Sequence, residues 1–82
     1  MVSVEFTSEF QKLFSKIKDS SLKERVSKQI MKLEANPEAG KPMRYDRRGT
    51  REMYIPPFRL TYAYVKDENK IILLDLYHKD EQ

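Results

Sequence analysis

The chain has 82 residues, 39% of them hydrophobic and 35% charged, with a formal net charge of +3; one charge-rich globular domain over 1–82 is expected. It has no cysteine and one histidine, which excludes disulfides, zinc–thiolate sites and a cysteine nucleophile, and argues against a histidine-based metal site. No stretch approaches the ~18 apolar residues of a membrane span, and MVSVEFTSEF lacks the basic head and apolar centre of a signal peptide, so a reducing cytoplasm is the expected compartment.

In chain order, VSVEF (residues 2–6) alternates loosely and predicts a short strand. Thr7 or Ser8 then caps a helix, Ser8 and Gln11 having the spacing of a capping box. Phe6, Phe10, Leu13, Phe14 and Ile17 form one apolar stripe at helical intervals. Asp19-Ser20-Ser21 interrupts it, and Ser21 with Glu24 marks a second capping box. Leu22, Val26, Ile30 and Leu33 recur every three to four residues, giving a second amphipathic helix that ends near Asn36, because Pro37 disfavours helical geometry before it. Two helices with so short a break make an antiparallel hairpin, and both stripes need a flat surface to cover.

A turn-rich connector, residues 36–42, leads to a possible short strand at 43–45 and a turn at Gly49. Arg51–Ile55 alternates polar and apolar, and Pro56-Pro57 forces a tight connection. Phe58, Leu60, Tyr62 and Tyr64 then point one way along a strand, and Arg59, Thr61, Ala63 and Val65 the other. Residues 66–70 form a charged hairpin turn, and Ile71–Tyr77 is the most apolar strand, suited to a position covered on both faces. If Glu68-Asn69 is the whole turn, Arg59 faces His78 across the hairpin; a three-residue loop would put Tyr77 there. The sequence leaves both open, the first preferred. The expected architecture is α+β, in the order β-α-α-β-β-β, with the helix hairpin on one face of a small antiparallel sheet.

The charge is concentrated. Residues 41–59 hold Lys41, Arg44, Arg47, Arg48, Arg51 and Arg59 against Asp46 and Glu52, a net +4, so the rest of the chain sums to −1. Arginine forks match phosphate oxygens, which favours a polyanionic partner over surface ion pairing alone. Asp75, inside an apolar run, needs a partner, expected to be a cation across the sheet.

Several pieces together resemble the RelE/ParE superfamily of toxins from type II toxin–antitoxin systems. They are the helix hairpin, the run Gly40-Lys41-Pro42-Met43-Arg44-Tyr45, the strand Phe58-Arg59-Leu60-Thr61-Tyr62-Ala63-Tyr64, the Asp-Glu-Asn turn and the terminal Leu76-Tyr77-His78-Lys79. The resemblance covers nearly the whole chain. It implies a cytoplasmic toxin neutralised by a cognate antitoxin, needing no cofactor or metal. RelE-like members cleave mRNA on the ribosome; ParE-like members poison DNA gyrase. In the RelE-like branch Arg59 resembles the arginine on the scissile phosphate and His78 the general acid.

Such cleavage uses the RNA's own 2′-OH and asks for a base, a cation for the phosphorane and an acid for the leaving oxygen. Arg59, His78, Glu52 and Tyr54 are the catalytic candidates. Arg44, Arg47, Arg48, Arg51, Lys41 and Lys79 are the candidates for RNA backbone contact. The sequence departs from the RelE pattern by having Glu52 and Tyr54 where lysines are usual, and by lacking the C-terminal tyrosine. Retention of His78 and the arginine cluster makes a ribosome-dependent endoribonuclease the first expectation; a gyrase inhibitor is the alternative, as is a catalytically silent module binding RNA or antitoxin, which those departures favour.

Overall fold

The computed structural model describes residues 2–42 and 49–78. Strand β1 (Ser3–Phe6) leads into helices α1 (Ser8–Ser15) and α2 (Ser20–Ala35). Four further strands follow: β2 (Lys41–Pro42), β3 (Thr50–Ile55), β4 (Phe58–Val65) and β5 (Lys70–His78). Their spatial order is β1-β5-β4-β3-β2. The sheet is mixed rather than wholly antiparallel, because β1 runs parallel to β5 while the other pairs are antiparallel. A parallel partner requires a long connection, and here the two helices and the later strands intervene.

Both helices cover one face of the sheet. Phe10 of α1 and Leu22, Val26, Ile30 and Leu33 of α2 are buried against Leu60, Tyr62, Ile71, Leu73 and Leu76. Each fully buried aliphatic side chain of this kind stabilises the fold by about 1.5–3 kcal/mol. Ile17 is buried too, but from the link between the helices, since α1 ends at Ser15.

The caps differ from the predicted boxes. Thr7, not Ser8, caps α1, its hydroxyl accepting from Phe10 N at 3.1 Å. Asp19 caps α2 in place of Ser21: its Oδ1 accepts from Ser21 N at 2.9 Å and Leu22 N at 3.4 Å. A carboxylate both satisfies these N–H groups and suits the positive end of the helix.

The connector after α2 is tied down by two side chains of the sheet. Tyr62, fully buried, donates its hydroxyl to Pro37 O at 2.9 Å and accepts from Gly40 N at 2.9 Å. Arg51 Nη1 donates to Gly40 O at 2.7 Å and Glu38 O at 3.1 Å, and its Nη2 pairs with the Glu38 carboxylate at 3.3 Å. Gly40 is required by space: a Cβ there would lie 2.6 Å from Tyr62 Oη and 2.9 Å from Glu52 O. Burial pushes the Tyr62 phenol above its ordinary range, partly offset by the Gly40 N–H and the Arg51 charge.

The β4–β5 connection departs from both predicted turns. Lys66–Glu68 form a 3₁₀ turn and Asn69 closes it with φ 50°, a left-handed conformation asparagine tolerates. Val65 therefore pairs with Lys70. Further along, Tyr62 pairs with Leu73 but Thr61 with Asp75, leaving Leu74 as the extra residue of a β-bulge. β5 lies between β1 and β4, and its outer face is only partly covered, Ile72 and Leu74 being partly buried where Ile71 and Leu73 are fully so.

Candidate functional site

Residues directly paired in an antiparallel ladder project from the same side of a sheet. Arg59 pairs with Tyr54 on β3 and with Tyr77 on β5. Glu52, two residues before Tyr54, shares that side, and Lys41 pairs with Glu52 at the edge. These residues occupy the face away from the helices.

Their side chains converge. Arg59 Nη1 donates to Glu52 Oε1 at 2.9 Å, and Tyr77 Oη donates to Glu52 Oε2 at 2.6 Å. The Arg59 guanidinium stands 5.9 Å from the centre of the Tyr54 ring. The pair is partly shielded, with side-chain exposure of 33% for Arg59 and 24% for Glu52, so its attraction is stronger than that of a surface pair. Arg59 Nε is buried and has no hydrogen-bond partner among the described residues. A cleft of about 470 Å³ opens beside the group, lined by Ala39, Gly40, Lys41, Glu52, Tyr54 and Arg59. The connector held by Tyr62 and Arg51 thus forms one wall of it.

The bulge decides which residue meets Arg59. Plain alternation from Ile71 and Leu73 would send Asp75 and Tyr77 into the core. With Leu74 extra, Leu76 is buried instead, and Asp75 and Tyr77 turn outward. Two neighbours hold the bulge: Asp75 Oδ1 accepts from Leu76 N at 2.8 Å, and Thr7 Oγ1 donates to Leu73 O at 2.8 Å.

His78 lies elsewhere. It pairs with Phe58 on the helix side, the two rings meeting edge to face at 5.5 Å between centroids. There it lines a second, more apolar groove of about 510 Å³ with Leu13, Ile17, Leu22, Phe58 and Leu76.

A family model described as the ParE toxin of type II toxin–antitoxin system, parDE, matches residues 2–82. The chain belongs to the ParE toxin family of type II toxin–antitoxin systems. Solved structures share its RelE/ParE fold. The toxin–antitoxin complex RelBE2 from Mycobacterium tuberculosis matches at 22% identity, covering 95% of this chain and 98% of that one, with TM-score 0.83. The intact RelBE complex from Escherichia coli matches at 16% identity, 95% and 96% coverage and TM-score 0.80. The YoeB/ParE toxin from Agrobacterium tumefaciens matches at 15% identity, 94% and 98% coverage and TM-score 0.82. A search of curated proteins finds no match.

In this ParE-family toxin, the structure brings together Arg59, Glu52 and Tyr54 from the expected catalytic set and separates His78 from them. The expected Arg59–His78 pairing is corrected by the four-residue connection and the bulge, which place Tyr77 opposite Arg59. Tyr77 opposite Arg59 is the alternative the sequence left open, though it is reached here by a bulge rather than by a three-residue loop; the signal for the bulge was Asp75, a polar residue where plain alternation points into the core. The cation partner expected for Asp75 is not found among the described residues; its carboxylate instead accepts from the N–H of Leu76. Of the expected RNA contacts, Lys41 lines the cleft. Arg51 faces the helix side, where its guanidinium holds the connector. Arg44, Arg47, Arg48, Lys79 and the expected strand at 43–45 lie outside the described residues.

Proposed function

We propose that this toxin is a metal-independent endoribonuclease that cuts mRNA on the ribosome, acting in the cytoplasm and restrained by a cognate antitoxin. The observation that carries the reading is the convergence of Arg59, Glu52 and Tyr77 on the open sheet face beside a cleft. The three groups supply the three needs of 2′-OH attack. The Glu52 carboxylate accepts the 2′-OH proton as the oxygen attacks phosphorus. The Arg59 guanidinium holds the charge that builds on the phosphoryl oxygens. The Tyr77 hydroxyl stands in for His78 as the acid that protonates the departing 5′-oxygen. Lys41 at the cleft margin supports the RNA backbone.

A second reading, inhibition of DNA gyrase, is favoured by the ParE family match and by the Glu52 carboxylate, which neutralises Arg59 in this conformation. Induced expression followed by mapping of transcript 5′ ends on ribosome-bound mRNA separates the two. Cleavage in frame with codons, abolished by Arg59→Ala, is the expected result. Growth arrest without new ends, together with inhibited supercoiling by purified gyrase, would replace the first reading with the second.

A further inference from the structure

Arg59 is the residue offered to phosphate, yet its Nη1 is already taken by an anion of the same chain, Glu52 Oε1 at 2.9 Å. That carboxylate is itself anchored by Tyr77 Oη at 2.6 Å. A carboxylate and a phosphate present similar paired oxygens to a guanidinium fork, so the two compete for one seat. The Arg59 fork is only partly used, since Nε is buried without a partner among the described residues. Lys41 and Arg59 both line the cleft around Glu52, so a bound phosphodiester would find two cations and one removable carboxylate. We infer that Glu52 is a built-in competitor for the phosphate seat on Arg59, and that an RNA phosphodiester binds by exchanging with it.

The exchange has a chemical consequence. While paired with Arg59 and Tyr77, Glu52 has both carboxylate oxygens engaged, Oε1 by Arg59 Nη1 and Oε2 by Tyr77 Oη. Once phosphate takes Arg59, Oε1 is released from the guanidinium and is open to accept the 2′-OH proton. Phosphate binding and release of the base are then one event. This rests on the proposed phosphodiester reading of the site and adds its regulation.

The test is binding of a 2′-O-methyl RNA oligonucleotide, which lacks the attacking hydroxyl, to purified toxin by fluorescence anisotropy at fixed salt. Glu52→Gln keeps the side chain's size and removes its charge. It is expected to bind about ten-fold more tightly than the unchanged protein, while losing cleavage of mRNA on ribosomes. In an Arg59→Ala background, Glu52→Gln should bring no gain in affinity. Affinity within two-fold of the unchanged protein, or a gain that persists without Arg59, overturns the exchange. Loss of all RNA binding in every variant, with no mRNA cleavage by the unchanged toxin, overturns the nuclease reading as well. Cleavage by the unchanged toxin without tighter binding by Glu52→Gln overturns the exchange alone. Thermal melts of each variant establish that the proteins compared are folded.

Discussion

Tyr77 stands directly across the ladder from Arg59, and both reach the carboxylate of Glu52. The relationship depends on Leu74. From the Val65–Lys70 pair an uninterrupted ladder would set Leu76 opposite Arg59; the extra residue advances the pairing by one. A buried position is thereby given to Leu76, and a hydroxyl is delivered to the site.

The first prediction follows from that geometry. Tyr77→Phe keeps the ring and removes the hydroxyl; it should lower ribosome-bound mRNA cleavage by about 10²-fold or more, the lower end of what positioned acid–base groups supply. His78→Ala, on the opposite face, should change cleavage by less than about three-fold. A rate series on purified ribosomes checks both. Loss of cleavage with His78→Ala and retention with Tyr77→Phe would return the acid role to the histidine.

Gly40→Ala should destabilise the toxin. The added Cβ would meet Tyr62 Oη at 2.6 Å and Glu52 O at 2.9 Å, and the latter is backbone that has little room to move. Overpacking of this kind costs about 1–3 kcal/mol, read as a lower midpoint in urea denaturation. Since Gly40 also walls the cleft, RNA affinity should fall in the variant that remains folded.

Tyr62→Phe leaves the buried Gly40 N–H without its acceptor, at a cost of about 1–3 kcal/mol. Its pH dependence has a definite sign. Burial raises the folded-state pKa of the Tyr62 phenol above the unfolded value, so the folded state keeps a proton that the unfolded state releases. The corresponding stability is present below pH ~10, the ordinary tyrosine value, and is lost as pH rises through the raised one. Denaturation midpoints should therefore fall more steeply in alkali for the unchanged protein than for Tyr62→Phe.

Thr7→Val tests the support of the bulge. The substitution keeps the branched shape but loses the cap on Phe10 N and the bond to Leu73 O. Loss of the cap alone costs about 0.5–2 kcal/mol. Because the same hydroxyl steadies the strand just before Leu74, hydrogen exchange should quicken at Leu76 N, whose bond to Asp75 Oδ1 closes the bulge.

The sequence by itself determined the α+β class, the helix pair, the apolar stripe of α2 and the split of β4 into an inward Phe58-Leu60-Tyr62-Tyr64 face and an outward Arg59 face; of the first stripe, Phe6 is exposed on β1 and Ile17 packs from the link. The features so determined follow from periods of 3.6 and 2 within single elements, where the side-chain direction of each residue is tied to its neighbours. It also carried the family resemblance and the choice of Arg59. Only the tertiary structure decided that β1 lies parallel to β5, that Glu52 shares the Arg59 face, and that Arg51 serves the connector. It alone decided between His78 and Tyr77 as the residue opposite Arg59. The reason is that these are relations between strands. Register across a hairpin is set by the loop and by bulges, and a shift of one residue changes every partner beyond it. Within IILLDLYH many residues suit either face, so local pattern carries little information about where the extra residue falls. The packing of Leu76 into the core, the Thr7 hydroxyl and the Asp75 carboxylate settle it together, and the second of these lies more than sixty residues from the strand it helps to place.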